Sequence, residues 1–231
     1  HPPKVVDDDL TPSLLFEKFF DDDVIQLMVE QSLIYAKQKG DHRYTVSAHE
    51  MKGFLRILIL SGYVQLPRRR MFWEQSPDVR NEIAVKFMAR DRFEEIMKYM
   101  HLADNSNLPT GDKFAKLRPL FIHLNNAFLA SFCEEDCLCI DESMVPYFGR
   151  HSCKQFIRGK PIRFGYKLWC LNTNLGYLVQ FQAYQGKGAV THPELGLGGS
   201  VVVNLIANLP AGPKYKLYFD NFFTSPSLID R

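Results

Sequence analysis

A chain of 231 residues that is 46% hydrophobic and 13% aromatic can bury a sizeable core, which excludes a disordered chain and allows two modest domains or one large one. Its formal net charge of +2 is too small to name a nucleic-acid partner, so such a case rests on where the charges cluster. The five cysteines, with no CxxC pair and no matching histidine spacing, exclude a disulfide framework and a structural zinc site.

Free thiols of a reducing compartment are expected, with Cys137 and Cys139 in the core. The chain opens on His1 rather than methionine, which reads as a fragment of something longer. Two acidic triplets, Asp7 to Asp9 and Asp21 to Asp23, flank the apolar segment SLLFEKFF. The second triplet precedes a helix whose apolar residues Ile25, Met28, Val29, Leu33 and Ala36 recur at helical spacing, with the acids at the positive end of its dipole. Ser47 and Glu50 form a capping-box pattern that opens a second helix, ending near Ser61-Gly62. The apolar run within it, Phe54 to Leu60, is short and interrupted by Arg56, so no transmembrane helix is expected. Arg68, Arg69 and Arg70 follow in a loop beside Phe72 and Trp73; they suit a phosphate backbone, and equally suit solvent or the upstream acids.

Ser76-Pro77-Asp78 reads as an N-cap with proline at the first helical position, and Asp91 with Glu94 as a capping box for the helix after it. A last helix is expected from Phe114 to Phe132, with Pro119 near its true start. From Glu134 the period changes to two, with strands at 137–148, 163–173 and 177–185. Asn174-Leu175-Gly176 should turn the last two into an antiparallel hairpin. A glycine-rich segment, a helix over 200–209 and a strand over 215–220 complete the order. A helix before the fourth strand lets it pair parallel to an earlier one, and this β-β-β-α-β order is that of the ribonuclease H-like fold. The fold class is therefore α+β, a helical region over 1–133 followed by an incomplete ribonuclease H-like core over 134–231.

Two aspartates stand where strands break into polar residues, Asp141 in CLCIDESMVPYF and Asp220 in KLYFDNFFTS. Each also fits a turn former, and Asp220 the N-cap of a following helix. In this fold the first and fourth strands are neighbours, which would place the pair at a common edge as hard oxygen ligands for a divalent ion. Between strands one and two, Arg150, Lys154, Arg158, Lys160, Arg163 and Lys167 supply six cations and no acid. A basic hairpin beside paired carboxylates matches the needs of phosphodiester chemistry, and a solvated surface hairpin is the plainer alternative.

The stretches GYVQLPRRRMFWEQSPD, RDRFEEIMKYMHLADN, FAKLRPL, IDESMVPYFGR, KQFIRGKPIRFGYKLWCLNTNLGYLVQF, LGLGGSVV and YFDNFFTSPSL resemble piggyBac-type transposases and the transposable element-derived proteins descended from them. The likeness covers nearly the whole chain in the family's order. It implies a helical dimerisation and DNA-binding region up to about Phe132, then the first part of a catalytic core. Asp141 and Asp220 fall on the family's first two catalytic, metal-binding aspartates, which work with Mg2+ or Mn2+. The implied partners are DNA, cut and joined at TTAA targets, and a second copy of the chain; no membrane or small-molecule substrate is expected, and the implied location is the nucleus. The family's third aspartate belongs well downstream, and Asp230 is too close to Asp220 to match it. The resemblance therefore leaves two readings: a metal-dependent transposase lacking one carboxylate here, or a catalytically silent descendant that binds DNA or protein.

Overall fold

The computed structural model describes residues 11–133, 135–186, 190–211 and 214–230. The triplet Asp7 to Asp9 lies outside them. The chain divides into two compact units, Leu10–Pro109 with Ala115–Leu120, and Thr110–Phe114 with Phe121–Arg231. The division falls inside a helix at Phe121, where composition suggested residue 133.

The helical unit is built from α1 (Pro12–Glu17), α2 (Asp22–Gln38), α3 (Ala48–Tyr63), α4 (Glu82–Phe87) and α5 (Arg90–Tyr99). Asp21 caps α2, its side chain accepting from Val24 N at 3.0 Å, while Asp22 and Asp23 occupy the first turn. The apolar stripe then buries Val24, Ile25, Met28, Val29 and Ala36 against Met51, Phe54 and Ile57 of α3 and Phe93, Ile96 and Tyr99 of α5. Each buried Val, Ile or Met side chain of the stripe contributes about 1.5–3 kcal/mol by leaving water. Ser47 and Glu50 make both bonds of the capping box at the start of α3.

Two helix starts differ from the reading above. Ser76-Pro77-Asp78 closes only a turn, whose Val79 and Arg80 N–H groups reach Ser76 O, and α4 begins six residues later behind Asn81. Asp91 lies inside the first turn of α5 rather than at its cap, because its partner Glu94 is turned to Arg70 and Asp91 itself pairs with Arg90. Arg69–Trp73 is a 3-10 helix, not a loop; Phe72 is buried beneath it and Trp73 Nε1 donates to Met88 O at 2.7 Å.

The sheet unit takes up α6 (Arg118–Ala130) from Phe121 onward, followed by β1 (Cys137–Pro146), β2 (Gln155–Phe156), β3 (Phe164–Thr173), β4 (Leu178–Ala183), α7 (Gly196–Ile206), β5 (Lys216–Phe219) and α8 (Pro226–Ile229). α6 starts at Arg118, beside Pro119, and Phe114 lies ahead of it in a turn. β3 pairs antiparallel with β1 on one side and with β4 and the short β2 on the other, while β5 pairs parallel with β1. The β3–β4 hairpin turns at Asn174 to Gly176, with Gly176 at φ 89°, a left-handed conformation that glycine adopts without strain. This α+β fold with a mixed sheet is of the ribonuclease H-like kind.

α7 lies on one face, burying Val201, Val202 and Leu205 against Leu138, Ile140, Trp169, Leu171 and Val179. On β4, Phe181 meets Phe121 of α6 at 5.2 Å between ring centres, and its N–H and C=O both bond the Asn125 amide, at 2.8 and 2.9 Å. The backbone of an outer strand is thus satisfied by a side chain. Among the described residues no helix is long and apolar enough to cross a membrane.

Candidate metal centre

Alternation along β1 sends Leu138 and Ile140 into the core and leaves Cys137 and Cys139 half-buried, which corrects the expectation that both thiols are core residues. The buried thiols are Cys153 and Cys170, and all five cysteines are free. Parallel pairing runs from Cys137 opposite Lys216 to Ile140 opposite Phe219. The next residue on each strand is an aspartate, so the register itself sets Asp141 beside Asp220 at the edge where pairing stops. Ligand oxygens of Asp141, Glu142 and Asp220 all lie within 4.8 Å of one another, with both aspartates exposed.

Local backbone orients these side chains. Asp141 Oδ1 accepts from Glu142 N at 2.7 Å, and Asp220 Oδ1 accepts from Phe222 N at 2.9 Å. Asp220 therefore closes a turn, and α8 has its own cap in Ser225. The end of the glycine-rich segment, Gly196 to Gly199, expected ahead of a helix, forms the first turn of α7 instead. A Cβ on Gly198 would lie 2.5 Å from Phe222 O, so only glycine lets the helix approach the turn that follows Asp220 so closely.

Glu142 went unmarked in the sequence, because period two places it on the opposite face from Asp141. A second acid directly after Asp141 is the signal that was there. Its Oε1 lies 3.1 Å from Lys160 Nζ and its Oε2 4.0 Å from Lys167 Nζ. The Glu142 hydrogen bond, with the nearby charges of Asp141 and Asp220, raises the Lys160 pKa. Lys167 moves the other way: burial lowers it, the ammonium sitting 3.7 Å above the Trp169 ring centre.

The other cations divide similarly. Arg70 grips Glu94 with two bonds, and Lys154 donates to Gly149 O at 3.2 Å. Arg68, Arg69, Arg150, Arg158 and Arg163 are exposed, and their side chains make no ion pair or hydrogen bond to other described residues. The hairpin that carries the last two is real but short, Gln155-Phe156 pairing with Phe164-Gly165. Of the residues expected to face a phosphate, Lys160 and Lys167 are instead turned onto Glu142.

A family model described as Transposase IS4 matches residues 11–231. Human PiggyBac transposable element-derived protein 3 is 53% identical over 96% of this chain and 38% of its own length. The chain belongs to the piggyBac transposase family. Human PiggyBac transposable element-derived protein 2 is 45% identical, again over 96% of this chain and 38% of its own length. The cryo-EM structure of a piggyBac transposase synaptic complex with hairpin DNA matches with a TM-score of 0.82 at 23% identity, over 95% of this chain and 47% of that one, which shows the shared fold. The chain thus spans less than half the length of these family members. DDE transposases typically work with divalent metal, and an all-carboxylate set within 4.8 Å suits a hard cation.

Proposed function

We propose that this chain carries part of the active site of a metal-dependent DNA transposase, with Asp141 and Asp220 as its metal-holding carboxylates. The observation that carries the reading is the parallel β1–β5 register, which sets the two aspartates side by side within the acidic cluster. Mg2+ or Mn2+ held there would stabilise charge on the attacking and leaving oxygens of a phosphodiester. The protein's own part is to fix that position: backbone N–H groups hold one oxygen of each aspartate, and the exposed Arg150, Arg158 and Arg163 offer cations to the DNA backbone. We extend the proposal to cleavage and joining at TTAA targets, a homodimeric assembly and work in the nucleus, which the resemblance to the family suggests.

Mn2+ titration of the chain beside Asp141→Asn and Asp220→Asn tests the metal reading, with binding expected in the first and lost in both variants. Three hairpin phosphate contacts at about 0.9 each in the log–log salt slope should weaken duplex binding about fortyfold between 50 and 200 mM salt. Binding that ignores salt or the three arginines would sink the DNA reading. With Mg2+ or Mn2+ and a TTAA-flanked end, the 231-residue chain is expected to bind without cutting, since the family's third aspartate matches no residue here. Nicking that depends on Asp141 would show that these residues complete the site. The second reading, a silent descendant that retains only binding, is supported by the description of both human relatives as transposable element-derived. A longer chain that includes the downstream carboxylate distinguishes the two by whether it cuts.

A further inference from the structure

Among the described residues neither Asp141 nor Asp220 has an ion pair, whereas Glu142, the third acid of the cluster, has two lysines on it. The two are held differently. Lys167 is fixed on β3, its ammonium 3.7 Å from the Trp169 ring centre and 5.4 Å from that of Phe222, with its side chain 17% exposed. Lys160 stands at the tip of the basic hairpin next to Gly159, its side chain 37% exposed and its ammonium 3.1 Å from Glu142 Oε1. A lysine ammonium is a compact cation on a flexible four-carbon stem, so Lys160 at the hairpin tip can leave Glu142 without moving the sheet, whereas Lys167 is packed over two rings.

We infer that Glu142 is a third carboxylate of the metal centre and that Lys160 is its exchangeable counter-cation. Asp141, Asp220 and Glu142 would together hold a divalent ion, and the Lys160 ammonium, no longer paired with Glu142, would join Arg158 and Arg163 on the exposed hairpin, where it could meet a DNA phosphate. The physical basis is competition: one carboxylate cannot serve the metal and the ammonium equally, and a divalent ion held by this cluster would repel an ammonium 3.1 Å from Glu142 Oε1. Metal and DNA binding are then coupled through Lys160, each strengthening the other by the same factor. This rests on the metal-dependent reading of Asp141 and Asp220 given above and adds two residues to it.

The test is Mn2+ affinity of the 231-residue chain by titration calorimetry, with Glu142→Gln, Lys160→Met, the double variant and Asp141→Asn. Expected are a loss of about tenfold or more for E142Q and a several-fold gain for K160M. In the double variant the K160M gain should vanish, because Lys160 acts through Glu142. Mn2+ should also tighten duplex binding by the wild-type chain, and by a smaller factor in K160M, where only the direct metal–phosphate contribution is left. Wild-type affinity in E142Q beside lost binding in D141N would overturn the inference and leave the two-aspartate site standing. So would a K160M gain that persists in the double variant, since Lys160 would then act only as a nearby charge. Absence of Mn2+ binding by the wild-type chain would remove the metal reading and this inference together. Far-UV circular dichroism checks that each variant is folded; should E142Q fail, the charge-balanced double variant compared with K160M alone measures the same Glu142 term.

Discussion

Glu50→Gln asks whether one carboxylate both caps a helix and ties two helices together. Glu50 Oε2 accepts from Ser47 N and Ser47 Oγ, each at 2.9 Å, while Oε1 accepts from Arg92 Nε at 2.8 Å. Arg92 reaches onward to Glu95 at 2.5 Å and to Thr45 O at 2.6 Å, linking the start of α3 to α5. The Arg92 bond, followed by those from Ser47, holds the Glu50 pKa down from 4.5 to about 2. At about 1.4 kcal/mol per pKa unit this is about 3 kcal/mol before screening. With side chains 35% and 25% exposed, solvent reduces the net contribution to about 1–2 kcal/mol. Because the folded pKa is depressed, the contribution is present above pH 4.5 and is lost as pH falls through about 2. Glutamine can still accept from Ser47 N, so the cap survives and the charge-assisted link to Arg92 is what goes. Hydrogen exchange over residues 48–63 reads the result. At pH 7 the variant's α3 amides should exchange about 5–30 times faster than wild type, and the ratio should shrink markedly by pH 3. A ratio near one at pH 7, or one that is the same at both pH values, would refute the reasoning.

Gly165→Ala should destabilise the sheet unit by at least about 1–3 kcal/mol, since a Cβ there would lie 1.9 Å from Val145 O and force the β1–β3 pair apart. A lowered urea midpoint followed through Trp169 fluorescence checks this, and an unchanged midpoint would contradict the close approach. Burial, with the Asp141 charge second, pushes the Cys170 thiol up to about 11, leaving about one molecule in a thousand as thiolate at pH 8. Iodoacetamide at that pH should therefore label exposed Cys133 well before Cys170 in the folded chain, with the difference lost in urea.

What the sequence determined by itself was whatever depends on neighbours along the chain. The α2 stripe, the Ser47–Glu50 capping box, the Asn174–Gly176 turn and the strand order are local patterns, and the helix before the last strand lets that strand cross over to pair parallel to an earlier one. Asp141 and Asp220 were legible because each follows a short apolar run, and the resemblance gave them a role; β1 continues past Asp141 to Pro146, within the strand expected over 137–148. Helix starts at Ser76 and Asp91 were misread for a physical reason: a cap competes with every other partner its side chain can reach, and Glu94 reaches Arg70 across 24 residues of sequence.

Tertiary structure decided what depends on distance in space. The β1–β5 pairing stops at Ile140 and Phe219, which sets an aspartate within β1 beside one just past the end of β5. Gly198 and Gly199 stood in a glycine-rich segment ahead of the expected helix, yet they belong to α7, and the backbone at Phe222 is what requires glycine at Gly198. Six cations in one hairpin look alike as letters, and only the fold separates the arginines that face solvent from Lys160 and Lys167, which answer the charge of Glu142. A formal charge is a property of the residue, but its availability to a partner depends on which opposite charge already lies within about 4 Å of it.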